Sequence, residues 1–194
     1  MMLPIFLCSV IATAVVFERF WTLRQDKIAP GSLLNDLLVV AREDLVDEAF
    51  LKRVEMSSPL GAVLASCMAN SQRPRDEVKE IVEEVGRHVA FNLVSYLNIL
   101  STIASVAPLL GLLGTVLGMI EVFAVITVNG IGQAGELAGG ISQALVSTAA
   151  GLVVAIPSLM FYRYFQGRVE AIVISMEKDT MRLLEFLQEG QTQG

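Results

Sequence analysis

A stretch of 75 residues, from His88 to Tyr162, contains neither lysine nor arginine, although the chain carries 14 of these residues. Its only carboxylates belong to Glu121 and Glu136. About a quarter of all residues in a soluble domain are charged, whereas here 18% are charged and most of them lie on either side of a long apolar stretch. The sequence therefore predicts a membrane protein. A nucleic-acid binder needs clustered basic charge, and the net charge of −6 argues against one.

A transmembrane helix needs about 20 mainly apolar residues to cross the hydrocarbon core. Three stretches meet this requirement, and we predict an all-α membrane protein with transmembrane helices at residues 1–22, 96–126 and 137–162. A signal peptide needs basic residues before its apolar run, and none precedes Arg19. The first stretch is therefore predicted to be a retained span.

Basic residues flank the C-terminal end of the first span, the N-terminal end of the second and the C-terminal end of the third. The positive-inside rule places these ends in the cytoplasm. The N-terminus and a loop at residues 127–136 are then periplasmic, residues 23–95 form a cytoplasmic helical region, and residues 163–194 form a cytoplasmic C-terminal helix and tail. Basic residues at the inner interface can anchor the assembly or meet acidic lipid headgroups, and the candidates are Arg24, Arg163 and Arg168.

The cytoplasmic helical region is predicted to contain short helices at residues 31–41, 44–54 and 58–69. Apolar positions at helical spacing run from Asp76 into the second span without a breaker, and from the third span onward to Gln188. We therefore expect spans two and three to extend as long cytoplasmic helices. Their apolar stripes need partners, and a short chain offers few, which predicts self-association.

Small residues form strips on spans two and three. Gly111, Gly114 and Gly118 repeat on one side of span two, and Gly151 continues a similar strip on span three. Residues without bulky side chains allow membrane helices to approach closely. We predict that these four glycines are helix-packing positions.

Polar side chains are unusually dense in span three. Thr115 and Thr148 lie within spans two and three, and Ser147 and Gln143 are further candidates for a polar lining. One interpretation is that each threonine hydroxyl bonds a carbonyl three or four residues back in its own helix. The other is that the two threonines line a polar path through the membrane. From their spacing alone, the two interpretations carry equal weight.

No Asp, Glu, Lys, Arg or His occupies the middle of any predicted span. A proton relay through a membrane normally needs a titratable group at depth, so a proton-conducting chain of this kind must obtain its carboxylate from another protein. The sequence contains no phosphate-binding loop, no zinc-protease or hydrolase motif and no Cys/His cluster. We therefore predict neither a metal site nor a cofactor, and we do not expect an enzyme.

Two segments carry a resemblance to a known family. They are APLLGLLGTVLGMI at residues 107–120 and GISQALVSTAAGLVVAIP at residues 140–157. Together with the order of the spans and the large cytoplasmic insert, they resemble the proton-channel subunits of the ExbB/TolQ/MotA family. The chain looks most similar to ExbB and then to TolQ, whereas MotA has an additional span.

The resemblance implies a multi-pass protein of the inner membrane of a Gram-negative bacterium. It implies a homopentamer around a central pore that holds the single transmembrane helices of two ExbD-like subunits, each with an aspartate. Proton exchange at this aspartate, against a ring of threonines, would drive rotation, and a TonB-like protein would pass the motion to outer-membrane transporters. Thr115 and Thr148 match the threonines of the family's second and third spans, which favours the pore-lining interpretation.

One position departs from part of the family, because Gln143 stands where some members have glutamate. A neutral amide does not exchange protons near neutral pH, so an acid–base role at this position is not expected here. The resemblance leaves open the assignment to ExbB or TolQ, the choice of H⁺ or Na⁺, and the cargo. A TolQ-like subunit for outer-membrane integrity and a non-conducting membrane scaffold are the alternatives.

Overall fold

The computed structural model describes residues 2–42, 47–129 and 134–192, and all regular secondary structure in these ranges is α-helical. The helices are α1 (Met2–Thr22), α2 (Gln25–Ile28), α3 (Leu33–Arg42), α4 (Glu48–Ser57), α5 (Pro59–Ala69), α6 (Arg75–Ser95), α7 (Leu97–Asn129) and α8 (Ala134–Thr192).

Three stretches of the described helices are long and apolar enough to cross a membrane: Met2–Thr22, Arg75–Thr127 and Leu137–Gln188. Large apolar side chains such as Phe6, Phe17 and Phe123 are exposed on α1 and α7. Contiguous apolar surface of this kind is unfavourable in water and suits a bilayer. The prediction of an all-α protein with three long apolar helices is confirmed.

The chain divides into two compact units. The apolar unit comprises Met1–Glu18 and Tyr96–Tyr164, and the polar unit comprises Arg19–Ser95 and Phe165–Gly194. The polar unit contains every lysine and arginine of the chain except Arg163.

The polar unit is built around α5, which packs against α4 and α6. Ser58 is the N-cap of α5 and its hydroxyl accepts a hydrogen bond from the Gly61 N–H at 3.0 Å, with Pro59 at the first helical position. This is the helix start that the Ser-Pro pair predicts. Buried side chains on α5 include Leu60, Val63, Leu64, Cys67 and Met68.

The C-terminal part of α8 contributes an apolar face to the same unit. The buried residues Phe165, Val169, Ile172, Met176 and Leu183 recur every three or four positions, so they lie on one side of the helix. The ring of Phe165 meets that of Phe20 edge-on, with 5.0 Å between the ring centroids. The amphipathic pattern that follows the third span is thus used for packing.

The helix boundaries differ from expectation in three places. The helix expected at residues 44–54 begins at Glu48, and its N-cap Asp47 accepts a hydrogen bond from the Phe50 N–H; its expected start at residue 44 lies outside the described residues. The short helix α2 had no sequence signal. Within the range predicted as a loop, residues 127–136, α7 continues to Asn129 and α8 begins at Ala134, while residues 130–133 lie outside the described part of the chain.

The continuous helix expected from Asp76 into the second span is interrupted for one residue at Tyr96. Two side chains donate hydrogen bonds to backbone carbonyls in the last turn of α6, just before Tyr96. The Ser95 hydroxyl donates to the Asn92 carbonyl at 3.1 Å, and the guanidinium of the buried Arg19 donates to the Leu93 carbonyl at 3.5 Å. The interruption is confined to this one residue, and Arg75–Thr127 as a whole is long and apolar enough to span a membrane.

Replacing Ser58 with alanine is expected to lower the free energy of unfolding by about 1 kcal/mol, because α5 loses the acceptor for the Gly61 N–H at a buried helix end. The measurement is denaturant unfolding of the full chain in detergent, followed by circular dichroism. Ser57→Ala is the matched control, since the Ser57 hydroxyl donates to the Val54 carbonyl and caps no N-terminus. An equal loss in the two variants would contradict the capping role.

Candidate functional site

In the apolar unit, α7 and α8 approach each other almost to backbone contact. A Cβ atom added at Gly111 would lie 3.0 Å from both the Ser147 carbonyl oxygen and the Thr148 Cα. One added at Gly151 would lie 2.5 Å from the Ala107 carbonyl oxygen. Both distances are shorter than ordinary carbon contacts, so only glycine fits at these two positions without movement of a backbone. We call this region the α7–α8 crossing.

The crossing continues toward the start of α8. A Cβ at Gly118 would lie 2.9 Å from the Ala144 Cβ, and one at Gly140 would lie 2.5 Å from a methyl group of Val122. Gly114, between these contacts, is buried. Gly140 was not singled out from the sequence, although it precedes Ala144 by one helical turn and extends the small-residue strip of α8.

The two threonines use their hydroxyl groups differently. Thr115 donates to the Leu112 carbonyl in its own helix, at 2.6 Å. Thr148 instead donates across the crossing to the Gly111 carbonyl, at 3.1 Å. The intrahelical interpretation therefore describes Thr115 but not Thr148. Gly111 lies one turn before Thr115 on α7, so the crossing brings both hydroxyls to neighbouring turns.

Ser147 is buried at the crossing, with 5% of its surface exposed, and its hydroxyl oxygen has no hydrogen-bond partner in the described part of the chain. An unpaired buried hydroxyl costs about 1–3 kcal/mol. Gln143 lies elsewhere, on an exposed face of α8. The structure thus places Ser147 and Thr148 beside Gly111, which lies one helical turn before Thr115, and leaves Gln143 on an exposed face of α8.

The chemistry available at the crossing is limited to hydroxyls and carbonyls. Glu121 is exposed near the end of α7, and no group of His, Cys, Asp or Glu that could hold a metal ion occurs among the described residues. A hydroxyl can donate one hydrogen bond and accept others, but it does not ionise at physiological pH. The crossing can therefore position and pass protons only together with an acid or base from elsewhere.

The remaining candidates lie outside the crossing. Arg24, Arg163 and Arg168 are all exposed. Cys67 is fully buried in α5, and this burial raises the pKa of its thiol to about 11. Because the thiolate is the reactive form, Cys67 is unreactive at neutral pH and serves as a small apolar side chain.

Comparison with known proteins assigns the family. Residues 44–178 match the MotA/TolQ/ExbB proton channel family, which is more than half of the chain. The chain belongs to this family. It is a family of membrane proteins that act as proton-channel and transport subunits and not as enzymes.

Individual relatives agree with the family assignment. ExbB-like 1 of Synechocystis sp., a biopolymer transport protein, is 34% identical over 166 residues, which cover 84% of this chain and 65% of that protein. Biopolymer transport protein exbB1 of Vibrio cholerae is 32% identical over 197 residues, covering 97% of this chain and 84% of the relative. The chain therefore spans slightly less than two thirds of the Synechocystis relative and most of the Vibrio one.

A TolQ protein is also similar over part of the chain. The Tol-Pal system protein TolQ of Haemophilus influenzae is 45% identical over 75 residues, which cover 38% of this chain and 32% of that protein. The greater coverage of the chain by ExbB-named relatives supports an ExbB-like assignment within the family.

Replacing Gly151 with alanine is expected to lower the free energy of unfolding by about 1–3 kcal/mol, because the new methyl group meets the Ala107 carbonyl of the facing helix. The measurement is thermal unfolding of the full chain in detergent. Gly167→Ala is the matched control in the same helix, since nothing lies within 4 Å of its added Cβ, and alanine is the better helix former by about 1 kcal/mol. Equal midpoints for the two variants would show that the helices do not approach closely at Gly151.

Proposed function

We propose that the protein is the channel-forming subunit of an energy-transducing complex of the bacterial inner membrane that uses the proton motive force. The observation that carries the proposal is the α7–α8 crossing, where the Thr148 hydroxyl bonds the Gly111 carbonyl of α7, one helical turn before Thr115. Membership in a proton channel family supports it. Thr115 and Thr148 are proposed to line the ion path, and Gln143, which is exposed on α8, is a further candidate lining residue.

The proposed complex needs a second protein to supply a titratable group. No Lys, Arg or His occurs between residues 89 and 162, and the two glutamates of that stretch fall toward the predicted outer ends of the spans. An ExbD-like single-span subunit with an aspartate would provide the missing carboxylate at depth. We propose a homopentamer of this chain around two such helices, with a TonB-like protein coupling their motion to outer-membrane import.

The proposed topology follows the distribution of charge. The N-terminus and the connection between α7 and α8 would be periplasmic, and residues 23–95 and 163–194 would be cytoplasmic. The restriction of all lysines and arginines but Arg163 to the polar unit supports this arrangement. On this topology, α6 would extend the second span into the cytoplasm, and the C-terminal half of α8 would extend the third span.

A TolQ-like role in outer-membrane integrity is the second candidate. The 45% identity with a TolQ protein over 75 residues favours it. The two roles share the same ion-driven mechanism and differ in the protein that receives the motion. Restoration of growth on a siderophore in an exbB deletion strain, without restoration of detergent resistance in a tolQ deletion strain, would favour the ExbB-like role.

The stoichiometry of the complex tests the proposal directly. After co-expression with an ExbD-like partner, native mass spectrometry of the purified complex is expected to show five copies of this chain with two of the partner. A monomer or dimer that is stable without the partner would leave no central pore to line. The channel proposal would then give way to a non-conducting membrane scaffold.

Thr148→Val is expected to reduce proton flux by about tenfold or more in liposomes that contain the co-purified complex. The substitution removes the hydrogen bond to Gly111 and the acceptor offered to the partner's acid, and one hydrogen bond contributes about 1–1.5 kcal/mol, which is about tenfold in rate. Thr148→Ser keeps the hydroxyl and is expected to retain flux. The measurement is the fluorescence of a pH-sensitive dye inside the liposomes.

Ser158→Ala is the matched control for this series, because it removes another hydroxyl of α8, which is buried and bonds the Val154 carbonyl in its own helix. It is expected to retain flux. Native mass of each variant complex separates loss of flux from loss of assembly. Normal flux in assembled Thr148→Val would exclude the hydroxyl from the mechanism.

A further inference from the structure

The only tryptophan of the chain, Trp21, lies in the last turn of α1, where the apolar helix ends. Its side chain is largely exposed, with 64% of its surface accessible. Indole rings at the ends of membrane helices settle at the level of the lipid headgroups, because the ring is apolar and its N–H is polar. Side chains that contact the Trp21 ring are therefore expected to lie at the level of the lipid headgroups.

Two cations lie against this one ring. The Arg24 guanidinium carbon is 5.3 Å from the ring centroid, and the Lys27 ammonium nitrogen is 4.8 Å from it. Both distances are within the range of a cation–π interaction. Both side chains are exposed, so the pair forms a small, doubly positive surface beside an apolar ring.

In the described part of the chain, no carboxylate neutralises the two charges. Among the described residues, neither Arg24 nor Lys27 forms an ion pair, and Asp26, which stands between them in the sequence, pairs with neither. By contrast, Lys52 is 3.5 Å from Glu48 and Arg73 is 3.8 Å from Glu77. Two like charges held close to one ring repel each other, and a bound anion would offset that repulsion.

We propose that Trp21, Arg24 and Lys27 form a binding site for the phosphodiester headgroup of an anionic phospholipid. A guanidinium can donate two parallel hydrogen bonds to one phosphate, and an ammonium adds a compact positive charge. The indole ring provides the apolar side of the site, against which the glycerol and the upper acyl chain pack. Arg163 and Arg168 are exposed as well, but no cation–π contact to a ring is found for them in the described residues.

A free phosphate ion would satisfy the same two cations, since the shared chemistry is a phosphate anion. The lipid is favoured because Trp21 ends an apolar helix of 21 residues, long enough to span the bilayer. The site therefore rests on the proposed membrane span of α1. It does not depend on proton conduction, on a partner subunit or on the oligomeric state.

The single tryptophan makes the site directly observable. The full chain is reconstituted in phosphatidylcholine vesicles, and the fluorescence of Trp21 is measured while a fraction of the lipid is replaced by brominated phosphatidylglycerol or, in parallel, brominated phosphatidylcholine. Bromine quenches indole fluorescence on contact. We expect the brominated phosphatidylglycerol to be preferred about fivefold or more, as expected for two basic residues at an anionic lipid.

The double variant Arg24→Gln/Lys27→Gln is expected to lose this preference while retaining the fluorophore. Lys52→Gln/Arg73→Gln is the matched control, because it removes the same charge from two exposed residues that already have carboxylate partners. The control is expected to keep the preference. Loss in both double variants would indicate general charge attraction and would overturn the site.

Two further results would also overturn the proposal. Equal quenching by the two brominated lipids would show that the site does not select an anionic headgroup. Displacement of brominated phosphatidylglycerol by an excess of inorganic phosphate would show that a free anion is the ligand. Because the assay uses neither the partner nor a proton gradient, its failure would leave the proposed channel function untouched, and the reverse holds as well.

Discussion

The near contact of α7 and α8 at Gly111 is the constraint on which the candidate site depends. In a bilayer, association of helices gains little from the hydrophobic effect and relies on close packing and hydrogen bonds between them. Without side chains at Gly111 and Gly151, a hydroxyl on one helix reaches a backbone carbonyl on the other. The same approach buries Ser147 and leaves it unpaired among the described residues. The short distance between the α7 and α8 backbones at Gly111 therefore determines both the helix packing and the hydrogen bonding of the crossing.

The distribution of charge differs between the two units of the chain. The polar unit carries all lysines and arginines but one. It packs as a globular protein does, with an N-capped α5 and a buried apolar face on α8. The α7–α8 crossing offers hydroxyls and carbonyls, which orient a proton but do not store a charge. The proposed function therefore assigns the titrating group to another protein, in keeping with the absence of a charged residue from the middle of the predicted spans.

Local signals in the sequence predicted much of this architecture, and long-range contacts account for what they missed. Apolar composition predicted the three long helices, and the Ser58-Pro59 pair predicted the start of α5, because both signals act within one helix. The hydrogen bond from Arg19 to the Leu93 carbonyl, close to Tyr96, could not be predicted, since the two residues are 74 positions apart in the sequence. For the same reason the spacing of Thr148 left the partner of its hydroxyl open, and the acceptor lies 37 residues away in the sequence.

The hydrogen bond of Thr148 also constrains how the proposed ion path can work. Its only proton is donated to the Gly111 carbonyl, so the oxygen is available as an acceptor. A protonated carboxylic acid of the proposed partner can donate to it without disturbing the crossing. A carboxylate needs a donor, and it can obtain one from Thr148 only by breaking the bond to Gly111. The Gly111 carbonyl would keep the N–H of Thr115, its normal partner in an α-helix, so the cost is one hydrogen bond, about 1 kcal/mol. In the proposed complex, the protonation state of the partner would thereby be coupled to the hydrogen bond between Thr148 and Gly111.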